Sequence, residues 1–224
     1  MGLDAFRLVS RRCAWIVLTA LTLVFCVLPA WADDEPQAIP RPNPEILRQL
    51  RQGGLTLYFR HGATDVSHPD RMPLVDLNDC ATQRQLSDKG RAQASHIGEM
   101  LTALRIPAGP VLVSPFCRTQ ETARSLGRPF TVSKLLMPSS NLTSDEMAPV
   151  MEQLRQLLAE PVPAGQVRIL VSHSTNLKDA ANLFLKPEGS ALVIKGDGGK
   201  VFSVLALIQP DDWDMLAAAA KGKE

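Results

Sequence analysis

The sequence has almost no excess of either charge and few cysteines or histidines. Its 224 residues include 24 Lys and Arg against 23 Asp and Glu, with 4 Cys and 4 His. This balance gives no support for nucleic acid or an anionic membrane surface as a partner. Because no C-x-x-C pair or histidine cluster accompanies the cysteines, a metal site is not expected. Any function must therefore come from a few local motifs.

The first 32 residues are predicted to be an export signal. Three arginines precede an apolar run at 14–28, and Ala30-Trp31-Ala32 follows with the small-residue spacing of a cleavage site. This order is typical of a secretory signal peptide, so we expect a mature chain that is periplasmic or secreted and has no stable membrane anchor. The alternative is an uncleaved anchor, although the apolar run is shorter than a spanning helix usually needs.

The rest of the chain is predicted to form one α/β domain. Continuous apolar strands at 55–59, 111–113 and 167–171 alternate with predicted helices. This alternation predicts a three-layer α/β/α sandwich with a mostly parallel central sheet. The predicted divisions are a signal peptide at 1–32, a Pro-rich leader with a short helix at 33–54, the domain at 55–210 and a C-terminal tail at 211–224.

Arginine and histidine recur where these three strands end. The first strand leads into Arg60-His61-Gly62, the second into a segment that contains Arg118, and the third into His173. Ligands of such sheets bind beyond the carboxyl ends of the strands, where these side chains could converge. An imidazole beside a guanidinium can attack a phosphoryl group and hold its oxygens, and the glycine after His61 lets backbone approach an oxyanion. The pattern predicts a phosphoryl-binding pocket.

Four segments together resemble the histidine phosphatase superfamily, which includes phosphoglycerate mutases, acid phosphatases and short bacterial phosphohistidine phosphatases. They are Arg60-His61-Gly62, Leu86-Ser87-x-x-Gly90-x-x-Gln93-Ala94, Ser114-Pro115-x-x-Arg118-x-x-x-Thr122-Ala123 and Val171-Ser172-His173-Ser174. They span roughly residues 55–183 in the family's order. The resemblance implies a phosphoglycerate mutase-like fold and a phosphatase that hydrolyses a phosphomonoester or a phosphoramidate.

The resemblance also implies a role for each matched residue. His61 corresponds to the nucleophile, which would carry the phosphoryl group as a phosphohistidine. Arg60, Arg118 and His173 correspond to side chains that stabilise charge on the phosphoryl oxygens. The backbone at Gly62 and the Thr64 hydroxyl could also bind the phosphate, although a turn-stabilising role suits Thr64 equally well. No metal or other cofactor is required, and the partner would be a small phosphorylated substrate.

The proton donor does not follow from the resemblance. Phytase-like relatives carry an aspartate directly after the second histidine, where this sequence has Ser174. Mutase-like relatives carry an acid after the second arginine, where Asp145 and Glu146 are candidates. Thr143 and Glu146, however, also have the spacing of a capping box. Asp65 is a third candidate, or a solvated loop residue. Without a donor, substrates with good leaving groups, such as phosphohistidine, would be favoured.

The interval between Arg118 and His173 is short. It is predicted to hold one loop, a short strand and one helix, whereas mutases and phytases place a larger cap there. Water should therefore reach the phosphohistidine, which favours hydrolysis over transfer back to a product. Two alternatives remain: a phosphomutase or phosphotransferase, and a non-catalytic phosphate-binding relative. Export favours a phosphate ester outside the cytoplasm, such as a sugar phosphate of the envelope, as substrate.

Cys80 and Cys117 are the two cysteines that signal cleavage would leave. In an oxidising compartment such a pair predicts a disulfide, and two buried free thiols are the alternative. A bridge would join the loop that follows His61 to the turn that carries Arg118, and would help to fix the pocket.

Overall fold

A six-stranded sheet forms the centre of the domain. The computed structural model describes residues 38–71 and 76–221, so the predicted signal peptide lies outside the described residues. The strands are β1 (Leu55–Arg60), β2 (Ala108–Val113), β3 (Thr131–Val132), β4 (Val167–Ser172), β5 (Ala191–Gly196) and β6 (Phe202–Ile208). No helix in this part of the chain is long and apolar enough to cross a membrane.

The sheet is mostly parallel, as the sequence predicts. Its order is β3-β2-β4-β1-β5-β6. The first four strands are parallel to one another, β5 is antiparallel to β1, and β6 is antiparallel to β5. The central strand β4 is buried along its whole length, and β1 is buried except at Arg60, its last residue. Burial on both faces explains why these strands are continuous apolar runs.

Helices cover both faces, which makes the predicted three layers. They are α1 (Pro44–Gln52), α2 (Asp88–Ala103), α3 (Cys117–Ser125), α4 (Ser144–Ala159), α5 (Ser174–Ala181) and α6 (Asp212–Lys221). One core joins α1, α2, α3 and α6 to the sheet, and a second core joins α4 and α5 to its other face. Ser87 caps α2, and Thr143 with Glu146 forms on α4 the capping box that their spacing indicates.

Both ends of the described chain add to the first core. Leu50 of α1 is fully buried. Residues 212–221, which the sequence suggests are part of a tail, form α6, and its Trp213 stacks on Phe59 with ring centroids 6.3 Å apart. Burial of a tryptophan is a large apolar contribution, so it holds a helix that is otherwise rich in alanine and charge.

The strand register brings the predicted site residues to one edge of the sheet. Arg60 pairs with Ser172, and Val113 pairs with Val171, so β1, β2 and β4 end side by side. Because β5 is antiparallel to β1, its first residue Ala191 lies opposite Phe59. The segment that precedes β5 therefore arrives at the same edge as the ends of the parallel strands.

Candidate active site

Two histidines and an arginine meet at this edge in the core of the protein. The rings of His61 and His173 lie edge to face with centroids 5.3 Å apart. The two histidines and Arg118 are only 2%, 4% and 5% exposed, respectively. Burial of an arginine beside two histidines is costly unless it serves a ligand or a partner. The structure therefore brings together three of the four residues that the sequence singles out, and Arg60 lies beside them at the end of β1.

His61 is held as a neutral imidazole with one ring nitrogen bound. Its Nδ1 lies 3.0 Å from the carbonyl oxygen of Gly62 and donates to it, which leaves the Nε2 lone pair for another use. Burial lowers the pKa of His61 well below its usual value, and the positive charges of Arg118, Arg60 and Arg84 lower it further. A neutral imidazole with a free Nε2 is the nucleophilic form.

His173 is fixed by contacts on three sides. Its Nε2 lies 2.9 Å from the Ser114 hydroxyl, and the Phe116 ring meets it edge on with centroids 5.2 Å apart. The Tyr58 hydroxyl donates to the His173 carbonyl oxygen at 2.9 Å. Burial lowers the pKa of His173 as well, and Arg118 and His61 add to that effect. Its position is therefore determined by β1, β2 and β4 together.

The two predicted arginines each have a carboxylate partner. Arg118, in the first turn of α3, donates to Asp70 at 3.0 Å and lies over the Phe116 ring at 4.7 Å. Arg60 donates to Glu188 at 2.9 Å and to the Leu185 carbonyl oxygen at 3.3 Å. Each guanidinium is held in place before any ligand binds, which lowers the entropy cost of binding.

Sequence reasoning missed three charged residues of this pocket: Asp70, Arg84 and Glu188. The Arg84 guanidinium lies 3.7 Å from the Glu188 carboxylate, and the Arg84 backbone N–H donates to Asp70 at 2.8 Å. Arg84 also contributes to the lowered pKa of both histidines. A signal existed for Arg84, which stands two residues before the matched Leu86. None existed for Glu188, whose place depends on the antiparallel pairing of β5.

Gly62 and Thr64 both take part in the pocket loop. The Gly62 N–H donates to the Thr122 hydroxyl at 3.0 Å, and a Cβ at Gly62 would lie 2.9 Å from the Gly90 carbonyl oxygen. The loop therefore needs glycine here for its close approach to α2. Thr64 donates its N–H to Glu188 at 2.8 Å and its hydroxyl to the same carboxylate at 3.1 Å.

The structure brings none of the three predicted proton donors to the pocket. Glu146 accepts from the Thr143 N–H at 2.9 Å in the capping box, and this hydrogen bond lowers its pKa. Asp145 is exposed on the same turn. Asp65 accepts from the Ser67 side chain and backbone, which lowers its pKa to about 2. Within the described interactions, none of the three contacts a pocket histidine or arginine.

The predicted disulfide is present between Cys80 and Cys117, whose Cα atoms are 5.7 Å apart. Its surroundings reinforce it, because the Cys117 N–H donates to the Gln83 side chain at 3.0 Å. The bridge joins the segment that carries Arg84 to the first turn of α3, which carries Arg118. Over residues 38–71 and 76–221, no group of three or more His, Cys, Asp and Glu side chains could hold a metal ion.

Comparisons with known proteins agree with this geometry. Residues 57–138 match the family model described as histidine phosphatase superfamily (branch 1), a stretch that contains His61 and Arg118 and stops before His173. The protein histidine phosphatase SixA, solved with tungstate, is 16% identical over 70% of this chain and 98% of its own, with a TM-score of 0.50.

A second solved structure is similar to the same extent. It is an Escherichia coli K-12 protein provisionally assigned as an alpha-ribazole-5'-P phosphatase, 16% identical over 70% of this chain and 98% of its own, with a TM-score of 0.51. At this level of identity both likenesses concern the fold. A search of curated protein sequences finds no match.

Proposed function

We propose that this chain is a histidine phosphatase, as the match of residues 57–138 to that superfamily suggests, and that it hydrolyses a phosphomonoester or phosphoramidate through a phosphohistidine on His61. The observation that carries the proposal is the buried, neutral His61, which lies among three arginines and whose Nε2 has no hydrogen-bond partner among the described residues. Such a group is a nucleophile placed in a pocket that favours anions.

In the first step the His61 Nε2 attacks phosphorus, and the bond from phosphorus to the leaving group breaks. Negative charge on the transferred oxygens is met by Arg60, Arg84 and Arg118, which are already oriented by Asp70 and Glu188. Preoriented donors stabilise the transition state without reorganising during the reaction. In the second step water attacks phosphorus, the bond to His61 breaks, and phosphate leaves.

The folding of the interval between Arg118 and His173 supports hydrolysis over phosphoryl transfer. After α3 this interval forms β3, two single 3-10 turns and α4. Met151, Leu154 and Leu158 of α4 pack into the second core, so that helix belongs to the sandwich. Few residues are left to close over a bound substrate, which favours access of water to the phosphohistidine.

We further propose that the protein works outside the cytoplasm on a phosphate ester of the envelope, such as a sugar phosphate. The signal-like first 32 residues support export. The Cys80–Cys117 disulfide also supports it, because such bridges persist in oxidising compartments.

The test is turnover of an aryl phosphate by the purified protein without added metal. We expect slow release of free phosphate, no transfer to an added alcohol, and an acid-labile 32P adduct that His61→Ala lacks. His96→Ala is the matched control, since His96 is partly exposed and pairs with Asp214 at 2.9 Å, away from the pocket. Turnover by His61→Ala equal to that of the wild type would refute the proposal.

A further inference from the structure

The Glu188 carboxylate holds the donors that a phosphate group would use. One oxygen is 2.9 Å from the Arg60 guanidinium and 3.7 Å from that of Arg84, and the other accepts from the Thr64 N–H at 2.8 Å. The Thr64 hydroxyl is 3.1 Å from both oxygens. Burial lowers the pKa of Arg118, and the charges of Asp70 and Glu188 oppose that shift. All three pocket arginines therefore act on this one carboxylate.

The backbone fixes Glu188 beside the nucleophile. The Gly189 N–H donates to the His61 carbonyl oxygen at 2.8 Å, and the Arg60 N–H donates to the Ser190 carbonyl oxygen at 3.0 Å. The Glu188 side chain is only 18% exposed. The Glu188 carboxylate is thus held, with little exposure, against Arg60 and Arg84, two of the arginines whose charges act on His61.

The second carboxylate of the pocket, Asp70, has a different set of partners. One of its oxygens accepts both from the Arg118 guanidinium at 3.0 Å and from the Arg84 backbone N–H at 2.8 Å. Each carboxylate accepts from one backbone N–H, but Glu188 also faces two guanidinium groups and the Thr64 hydroxyl. Because Glu188 holds more of the donors that a phosphate would use, it is the carboxylate that we expect a phosphate to displace.

A bound phosphate would place a second anion beside the Glu188 carboxylate, and a proton on Glu188 would remove the repulsion between them. The groups that face Glu188 are Arg60 of β1, Arg84 before α2 and Arg118 of α3, while the nearby Lys186 ammonium lies 4.8 Å from the Phe184 ring. A dianionic phosphate takes these arginines for its own oxygens. Two anions side by side cannot both keep their charge cheaply, so binding favours a protonated Glu188.

We propose that Glu188 is the proton donor to the leaving group; this inference rests on the proposed phosphatase function. As the His61 Nε2 bonds to phosphorus, the bond from phosphorus to the ester oxygen breaks, and that oxygen takes the Glu188 proton and leaves as an alcohol. In the second step water attacks phosphorus and gives a proton to the Glu188 carboxylate. Protons balance over the cycle, and no further reactant is needed.

The experiment compares two substrates that differ in their need for a proton. The p-nitrophenolate of p-nitrophenyl phosphate leaves without a proton, whereas the alkoxide of glycerol 3-phosphate needs one. We expect Glu188→Gln to lose about 100-fold in kcat on glycerol 3-phosphate and to keep turnover of p-nitrophenyl phosphate within about threefold. Glu188→Asp should recover part of the lost activity, because it restores a carboxyl group. Glu99→Gln, an exposed glutamate on α2, is the control that should change neither rate.

Binding of inorganic phosphate, followed by calorimetry, gives a readout that does not depend on turnover. We expect Glu188→Gln to bind phosphate more tightly than the wild type, because the internal competitor loses its charge. Measured in two buffers of different ionisation enthalpy, the wild type should take up protons on binding and the variant should not. A residue that only positions the arginines would instead weaken phosphate binding when it is changed.

Three results would overturn the assignment. The first is an equal loss on both substrates with weaker phosphate binding, and the second is wild-type behaviour of Glu188→Gln on both. The third is a loss that depends on the leaving group in Asp145→Asn or Glu146→Gln. If the wild type turns over neither substrate, the proposed phosphatase function fails and the donor role fails with it.

Discussion

The two sides of the pocket are braced in different ways. On the disulfide side, Asp70 and Arg118 lie beside the Cys80–Cys117 bridge, so a covalent bond joins two segments distant in sequence. On the Glu188 side, Arg60 and Glu188 depend on backbone hydrogen bonds between the His61 loop and residues 189–190. Arg84 lies between the two sides and contacts both carboxylates.

This difference assigns different tasks to the two sides. The disulfide side holds the more deeply buried arginine, whose charge acts on both histidines more strongly than that of Arg60. The Glu188 side has the carboxylate that we expect phosphate to displace. We infer that the disulfide side supplies a fixed positive charge, while the Glu188 side changes its contacts during the reaction. Each prediction below perturbs one of the two sides.

The largest expected effect is that of Arg118→Ala compared with Arg60→Ala. Removal of a preoriented charge from a buried phosphoryl site costs about 10²–10³ in rate. We expect Arg118→Ala to lie at the upper end of that range in kcat/KM, and Arg60→Ala at the lower end, because Arg118 is more buried. Steady-state kinetics on p-nitrophenyl phosphate measures both, and a larger loss in Arg60→Ala would reverse the comparison.

The pH profile of the same variant checks the electrostatic explanation. After burial, Arg118 is the main cause of the lowered pKa of His61. Its removal should raise that pKa, and since only the neutral imidazole attacks, the acidic limb of kcat/KM should move to higher pH. Arg118→Lys, which keeps the charge, should leave the limb near its wild-type position.

Reduction of the disulfide is expected to have the next largest effect. The bridge closes a loop with a sequence separation of 37. A loop of this size contributes about 4 kcal/mol through the entropy of the unfolded chain. Dithiothreitol should therefore lower the melting temperature, and it should lower activity because Arg84 and Arg118 lose their link. The double variant Cys80→Ser, Cys117→Ser should not respond to dithiothreitol, and identical alkylation with and without reductant would contradict the bridge.

The sequence predicts most of the sheet and of the disulfide side. The strand that ends at Arg60 and the strand that ends just before His173 are buried on both faces, so they are continuous apolar runs, and residues at their ends meet. The start of α4 is equally local, since its capping box lies within four residues. The capping box also keeps Glu146 out of the pocket, because the Glu146 carboxylate is already bound to Thr143.

Glu188 itself could not be predicted from local sequence. Glu188 reaches the pocket because β5 runs antiparallel to β1, and its neighbours Pro187 and Gly189 indicate only a turn. Nothing in that turn distinguishes a catalytic carboxylate from a solvated one. The helix α6 was missed for a similar reason, because Trp213 is fixed by its contact with Phe59, far away in the sequence. The positions of Glu188 and of α6 both depend on long-range packing rather than on hydrophobic periodicity or helix capping.

The smallest expected effect comes from Gly189→Ala, measured against Gly165→Ala. Both glycines have positive φ, +82° and +76°, so an alanine at either position costs about 1–2 kcal/mol in backbone strain. Only at Gly189 would the new Cβ also meet the Gln93 side chain, which accepts from the Ala63 N–H at 3.3 Å. Gly189→Ala should therefore unfold at lower urea than Gly165→Ala and lose turnover of glycerol 3-phosphate. Equal stability and equal activity of the two variants would mean that the Glu188 side does not depend on this backbone contact.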